Sequence, residues 1–229
     1  MPNIDERTEM LLGEETVKRL KEATVAVFGL GGVGGTAFEA LVRSGIGTIY
    51  AIDCDEVDES NLNRQLLFLQ DDLGRKKCEV AVERASAIRE DVEVIGENYR
   101  ISKESLSCHD YSSCDCLIDA VDDVEAKLAL IELAASLGKP IFVSLGMGNR
   151  LDPSQVEIRR LDKTEGDPLA KKVRYECRQR GIDMKKVWCA VSVEEPLVRG
   201  PKPASMMMVP SSAGLLLASK AIETIANSH

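Results

Sequence analysis

Short runs of β-branched and aliphatic residues alternate along the chain with longer stretches whose apolar positions recur at helical spacing. That alternation is the pattern of a parallel sheet with crossover helices. Thr24–Phe28 (TVAVF) predicts a first strand, which runs straight into a glycine-rich segment at residues 29–35. A helix is expected over 36–43, stopped by Ser44-Gly45-Ile46-Gly47, then a second strand over Thr48–Ile52 that ends in Asp53. Beyond a polar loop, the pattern predicts a helix over 76–89 and strands over 92–95 and 116–121. A helix over Val124–Leu137 and a strand over 140–145 follow. The character changes near Asp152-Pro153: 155–161 alternates like an edge strand, 167–180 is a basic amphipathic helix, 186–193 a strand, and 211–226 a closing helix. The fold class expected is α/β, a Rossmann-like, mostly parallel sheet with helices on both faces, extended by C-terminal antiparallel strands. One domain is expected over residues 1–229, with a nucleotide-binding half at about 20–150 and a substrate-side lobe at about 151–229.

Composition narrows the class. With 229 residues, 44% of them hydrophobic, the chain can bury a full core without a disulfide or metal staple. Its seven cysteines are irregularly spaced and include no C-x-x-C, which argues against a disulfide framework and against a structural zinc site. The N-terminal segment is acid-rich and has no apolar core run, so no signal peptide is expected. The apolar run at 213–218 falls far short of the ~20 residues that span a bilayer. A cytoplasmic protein with no membrane association is expected.

The net charge of −9 and the aromatic content of 4% argue against a protein that coats nucleic acid. The distribution qualifies that exclusion. Between residues 159 and 186, ten basic residues stand against five acidic ones, a local +5 that leaves −14 for the rest of the chain. A basic helix there, carrying Lys171, Lys172, Arg174, Arg178 and Arg180, could contact phosphates; it reads equally as a solvated helix face.

The chemistry concentrates around the glycines. A strand feeding Gly29-Leu30-Gly31-Gly32-Val33-Gly34 and then a helix makes a phosphate site: glycine lets backbone approach, and the helix N-terminus offers unpaired N–H groups. Asp53 ends the second strand 19 residues after Gly34, placed to accept hydrogen bonds from ribose hydroxyls. An adenine nucleotide is expected, and the choice lies between NAD and ATP. Attack on a triphosphate needs fixed cations, and Arg64 and Lys77 supply them downstream of the acid. Asp122 and Asp123 follow the strand that contains Asp119, at the sheet edge where such folds bind ligands, and one of them could hold Mg²⁺.

The ordered set of Gly29 to Gly34, Asp53-Cys54-Asp55-Glu56-Val57, Ser60-Asn61-Leu62-Asn63-Arg64-Gln65, Gly74 to Lys77 and Asp119-Ala120-Val121-Asp122-Asp123 resembles the ubiquitin-activating-enzyme-like adenylyltransferases. The resemblance implies that Gly29, Gly31, Gly32 and Gly34 form the phosphate loop, with Gly31 and Gly32 against the phosphates. It implies that Asp53 holds the ribose, that Asn61, Arg64 and Lys77 contact the triphosphate, and that Asp55 and Gln65 complete the ATP site. Asp122 would serve Mg²⁺, and Arg7 would reach across a homodimer into the partner's site. Arg7, Arg64, Lys77 and Asp122 are the catalytic candidates.

The C-terminal half chooses a branch. Asp152-Pro153-Ser154-Gln155-Val156, Asp167-Pro168-Leu169-Ala170-Lys171-Lys172-Val173-Arg174 and Val209-Pro210-Ser211-Ser212-Ala213-Gly214 resemble the tRNA threonylcarbamoyladenosine dehydratases. That branch uses ATP to adenylate the threonyl carboxylate of N6-threonylcarbamoyladenosine in tRNA; the side chain's own nitrogen then closes a ring with net loss of water. An internal nucleophile makes a transfer cysteine unnecessary, and Cys189, the best placed of the seven, sits in an apolar strand. The alternatives are adenylation of the C-terminal glycine of a ubiquitin-like sulfur-carrier partner, and an NAD-binding oxidoreductase or nucleotide-binding module.

Overall fold

In a computed structural model of the chain, residues 3–200 and 203–228 are described. Two helices, α1 (Glu6–Leu12) and α2 (Glu14–Glu22), precede strand β1 (Thr24–Phe28). Then come α3 (Gly32–Arg43), β2 (Thr48–Ile52), α4 (Lys77–Ile88) and β3 (Glu93–Glu97). A short α5 (Lys103–Leu106) leads to β4 (Cys116–Asp119), α6 (Val124–Leu137) and β5 (Ile141–Ser144). The chain closes with β6 (Val156–Arg160), α7 (Pro168–Gln179), β7 (Val187–Ser192) and α8 (Met208–Ala226).

All seven strands join one sheet in the order β3-β2-β1-β4-β5-β7-β6. Every pairing is parallel except that between β6 and β7. Of the two C-terminal strands, β7 therefore continues the parallel run beside β5, and β6 alone is reversed, at the edge. Every residue of β4 and β5 is buried, as a strand covered on both faces must be. Along β1, Val25 and Val27 join the core cluster that includes Phe38 and Leu41 of α3 and Leu217 of α8. Ala26 and Phe28 face the other cluster, with Leu128 and Ile131 of α6 and Val173 of α7. Two-residue alternation thus divides one strand between two cores.

The sheet's register builds the site. Phe28 pairs with Ile52 on one side and with Asp119 on the other, so β1, β2 and β4 end level. Winding reverses at β1, and the segments leaving these three ends open a crevice at the switch point.

Besides shifts of one or two residues at element ends and the added α5, the structure departs from the sequence expectation in three places, each with a physical reason. Helix α3 starts at Gly32, not at residue 36, because its glycines fill the first turn, where they pack closely on the preceding loop. Helix α8 starts at Met208 with Pro210 inside its first turn, where the missing N–H has no intrahelical partner to lose. Helices α1 and α2 have no counterpart in the expected pattern: α1 has no buried residue, and α2 buries only Val17 and Leu20. Among the described residues, no helix is long and apolar enough to cross a membrane.

Candidate active site

A cavity of about 410 Å³ opens at the level ends of β1, β2 and β4. Its walls include Gly29, Gly31 and Gly32 from the glycine loop, Asp53 and Asp55 after β2, and Asn61, Arg64, Gln65 and Lys77 from the next crossover. Asp122 and Asp123 after β4, Tyr99 to Ile101 after β3 and Pro210 of α8 close it.

Gly29 takes φ +87°, a region that strains other residues, and donates its N–H to the Ile52 carbonyl at 2.8 Å. A Cβ on Gly34 would overlap the Gly29 carbonyl, so that glycine permits the tight return of the loop. Gly31 differs: the nearest atom to a Cβ there would be Gln65 Nε2 at 3.8 Å. Its side faces open space in the cavity, and no side chain caps the N-terminus of α3 behind it. The first N–H groups of α3 and the positive end of its dipole are thereby offered to an anion.

Asp53 is nearly buried and fixed twice: Oδ2 accepts from Leu30 N at 2.7 Å, and Oδ1 accepts from Asp55 N at 2.8 Å. The carboxylate therefore braces the glycine loop and keeps lone pairs for further donors. Lys77, the first residue of α4, is buried with its Nζ 3.1 Å from Asp55 Oδ2, and Asp55 itself is mostly exposed. The guanidinium of Arg64 is held by oxygens without full charge, Ser60 O at 2.6 Å and Asn63 Oδ1 at 2.8 Å. Asn61 closes a capping box with Asp58. Gln65 Oε1 is buried with no protein partner, which leaves an acceptor for a bound group to satisfy.

The two acids after β4 divide their labour. Asp123 caps α6, accepting from Ala126 N at 2.9 Å, whereas Asp122 is exposed in the cavity with no such commitment. Arg7 is exposed on α1 and does not line this chain's own cavity.

Of the five basic candidates further on, the structure commits two internally. Arg174 donates to Thr164 Oγ1, and Arg180 ties α7 to α6 through Glu125 at 2.7 Å and Glu132 at 3.3 Å. Lys171, Lys172 and Arg178 lie exposed on α7. The helix begins beside Gly146, just past the end of β5, so it starts at the same sheet edge as the cavity.

The buried thiols, and Cys54 in the cavity, are held in their protonated form. Burial pushes the Cys189 and Cys116 thiols far up, and Cys114 up to about 12. Cys54 lies in the cavity, but partial burial and the neighbouring Asp55 and Asp53 raise it as well. A larger cavity, of about 740 Å³, opens at the opposite edge between the starts of β5 and β7. Its walls are mainly apolar, with Ile131, Phe142 and Trp188, and it has no glycine loop or helix N-terminus for phosphates.

Two features are absent from the sequence expectation. Tyr99, Arg100 and Ile101 line the cavity because β3 ends level with β2, a position that the rule placing ligands beyond strand ends would have flagged. Asp119 and Lys127 form a fully buried pair behind the site, and only the tertiary fold brings Lys127 there.

The family model described as ThiF family matches residues 6–228. The tRNA threonylcarbamoyladenosine dehydratase of Bacillus subtilis is 36% identical over 229 residues, covering 92% of this chain and 90% of that one. The crystal structure of the E. coli tRNA N6-threonylcarbamoyladenosine dehydratase in complex with ATP superposes with a TM-score of 0.88 at 33% identity, over 96% of this chain and 92% of that one. A sulfur carrier protein adenylyltransferase of Thermus thermophilus is 34% identical over a shorter stretch, 57% of this chain and 48% of that protein. On this likeness across nearly its whole length, the chain belongs to the ThiF family.

Proposed function

We propose that this chain is an ATP-dependent tRNA threonylcarbamoyladenosine dehydratase. The observation that carries the reading is the convergence at one sheet edge of the open α3 N-terminus, Asp53, Arg64, Lys77 and Asp122. Likeness over both halves of the chain to dehydratases supports this substrate over a carrier protein, whose adenylyltransferase matches a shorter stretch.

In the reaction, an oxygen of the threonyl carboxylate attacks the α-phosphorus of ATP, the bond to the pyrophosphate oxygen breaks and pyrophosphate leaves. The ureido nitrogen attached to the purine then attacks the acyl carbon and closes a five-membered ring, AMP departs and that nitrogen's proton is lost, so the nucleoside loses one water. The protein's part is orientation and neutralisation of charge, and it needs no nucleophile of its own. Backbone N–H groups of Gly31 and Gly32 bind phosphate oxygens, and Asp53 accepts from the ribose. Lys77 and Arg64 take up charge on the phosphates, and Asn61 and Gln65 complete the polar wall. Asp122, the uncommitted carboxylate, suits Mg²⁺, a hard cation that would neutralise phosphate charge when bound. Arg7 would act from the partner subunit of a homodimer, and Lys171, Lys172 and Arg178 would meet tRNA phosphates. A tRNA substrate implies action in the cytoplasm.

Mass spectrometry of threonylcarbamoyladenosine-bearing tRNA incubated with the protein, ATP and Mg²⁺ should register loss of one water from the nucleoside. An unchanged nucleoside would overturn the reading. Pyrophosphate release on adding a small carrier protein ending in Gly-Gly would support the sulfur-carrier alternative instead.

A further inference from the structure

Behind the wall formed by Tyr99 to Ile101 lies a cluster of titratable side chains that the reaction itself does not use. Tyr111 is 1% exposed, with its ring held edge-on by Phe28 at 5.1 Å and by Tyr50 at 5.4 Å between centroids. Its hydroxyl meets the Glu97 carboxylate and lies 2.5 Å from the Tyr99 hydroxyl. The other Glu97 oxygen lies 3.1 Å from Nδ1 of His109, whose ring stacks on Tyr99 with centroids 4.2 Å apart and planes 18° apart.

Donor inventory fixes the direction of every bond. A carboxylate only accepts, so Tyr111 donates to Glu97, and His109 carries its proton on Nδ1. The Tyr111 proton being committed, the hydroxyl of Tyr99 donates to the Tyr111 oxygen. Burial keeps both phenols protonated: Tyr99 is pushed up to about 12, and Tyr111, beside Glu97, higher still. The cluster is thus a one-way chain of donors ending on Glu97. It holds the Tyr99 ring at its hydroxyl and on one face while Tyr99 lines the cavity.

The same strand end also grips the ribose acid. Glu97 O accepts from Asp53 N at 3.2 Å, and Asn98 Nδ2 donates to Asp53 O at 3.2 Å. Both contacts meet backbone atoms of Asp53 and neither uses the Glu97 side chain, so changes to the cluster's side chains act on the Tyr99 wall and leave Asp53, with the glycine loop it braces, in place. By contrast the phosphate-side groups, Arg64, Lys77 and the α3 N-terminus, belong to other segments.

We propose that Glu97, His109 and Tyr111 are positioning residues for the nucleoside half of ATP: they set the Tyr99 wall of the cavity, and leave the phosphate half untouched. This rests on the reading of the cavity as an ATP site. The test measures binding of ATP and of inorganic tripolyphosphate to the full chain and to Tyr111→Phe, His109→Ala and His109→Phe.

Tyr111→Phe removes two hydrogen bonds, and loss of the one that holds the Tyr99 hydroxyl predicts ATP binding about five- to tenfold weaker, with tripolyphosphate binding unchanged. His109→Ala should weaken ATP binding by a similar factor, and His109→Phe, which keeps the stacked ring, should recover part of the loss. KM for ATP should rise in step while kcat stays within about twofold, the signature of lost ground-state binding. Unchanged ATP affinity in both Tyr111→Phe and His109→Ala would overturn the proposal, as would equal weakening of ATP and tripolyphosphate. Failure of the unsubstituted chain to bind ATP would instead remove the reading of the cavity on which the proposal stands. Tyr111→Phe fills the same volume, and His109 is only partly buried, so a folding defect in one leaves the other to decide.

Discussion

Lys127 and Asp119 lie 3.1 Å apart with neither side chain exposed to solvent. Lys127 Nζ also donates to Ser144 O at 2.6 Å, so one ammonium joins the ends of β4 and β5 to α6, directly behind the loop that carries Asp122. Burial pushes Asp119 above the usual carboxylate range, and Lys127 opposes that rise. A buried pair of this kind costs desolvation on both sides, but losing one member strands the other charge. Lys127→Met should therefore destabilise the fold by about 3–5 kcal/mol. Adding Asp119→Leu should restore part of that loss, because the orphaned carboxylate disappears. Urea denaturation of the two single variants and the double variant measures the coupling.

The proposed triphosphate site makes a separate demand. Arg64 and Asp122 are only partly engaged within the chain, so their removal should leave the melting temperature nearly unchanged. Arg64→Ala and Asp122→Ala should each lower substrate-dependent pyrophosphate release by about 10²–10³-fold, the scale for losing one preorganised electrostatic group. Lys77→Ala should do the same and also free Asp55, its partner at 3.1 Å. Normal turnover in all three variants would show that the site has been misassigned.

The grouping of the candidate site residues around one cavity was legible in the sequence because most of them lie near strand ends. The glycines follow β1, Asp53 follows β2 and Asp122 follows β4, while Arg64 and Lys77 come from the single crossover between β2 and α4. What was not legible depends on distant partners. Lys127 reads as one more polar position in a helix until β4 and β5 enclose it. Asp5 and Arg89 are 84 residues apart, yet their side chains meet at 2.7 Å with almost no exposure. Helices α1 and α2 have little signal in the sequence because α1 buries no residue, α2 buries only Val17 and Leu20, and their caps use no side chain. The direction of β7 followed from no local signal; it is set by pairing with β5.

The Asp5–Arg89 contact gives the fold an acid-sensitive anchor. The Arg89 guanidinium holds the Asp5 carboxyl below its ordinary value of 3.8, with Lys21 helping and burial opposing. A depressed folded-state value means the stabilisation is fully present above about pH 4 and is lost as pH falls through the folded value, below 3.8. Asp5→Asn should cost about 1.5–3 kcal/mol at neutral pH, as expected for a buried charged hydrogen bond. It should also flatten the acid limb of the stability curve. Thermal melts of both proteins between pH 2.5 and 7, a window of about one unit below to three above the carboxylate range, read both effects.

Helix α7 separates two roles that composition alone merges. Charge reversal of Lys171, Lys172 and Arg178 should weaken tRNA binding and reduce the salt slope by roughly 0.7–0.9 for each tRNA phosphate no longer neutralised. Arg180→Ala should leave that slope alone and lower stability instead, since Arg180 is tied to Glu125 and Glu132. Filter binding across a salt series, paired with melts, distinguishes the two.

The placement of Arg7 gives the most selective prediction. It lies exposed on a helix with no buried residue, beside Met10 and Leu11, each 81% exposed. A second subunit docking on this face would cover Met10 and Leu11, and Arg7 does not line its own cavity. If Arg7 acts across a homodimer, Arg7→Ala and Asp122→Ala homodimers are both inactive, for different reasons. A mixed dimer then holds one doubly broken site and one whole site, in which the intact Asp122 of one subunit meets the intact Arg7 of the other. Random exchange at equal amounts makes half the dimers mixed, so about a quarter of full activity should return. An arginine acting within its own subunit would return none, and pyrophosphate release from the mixture decides between them.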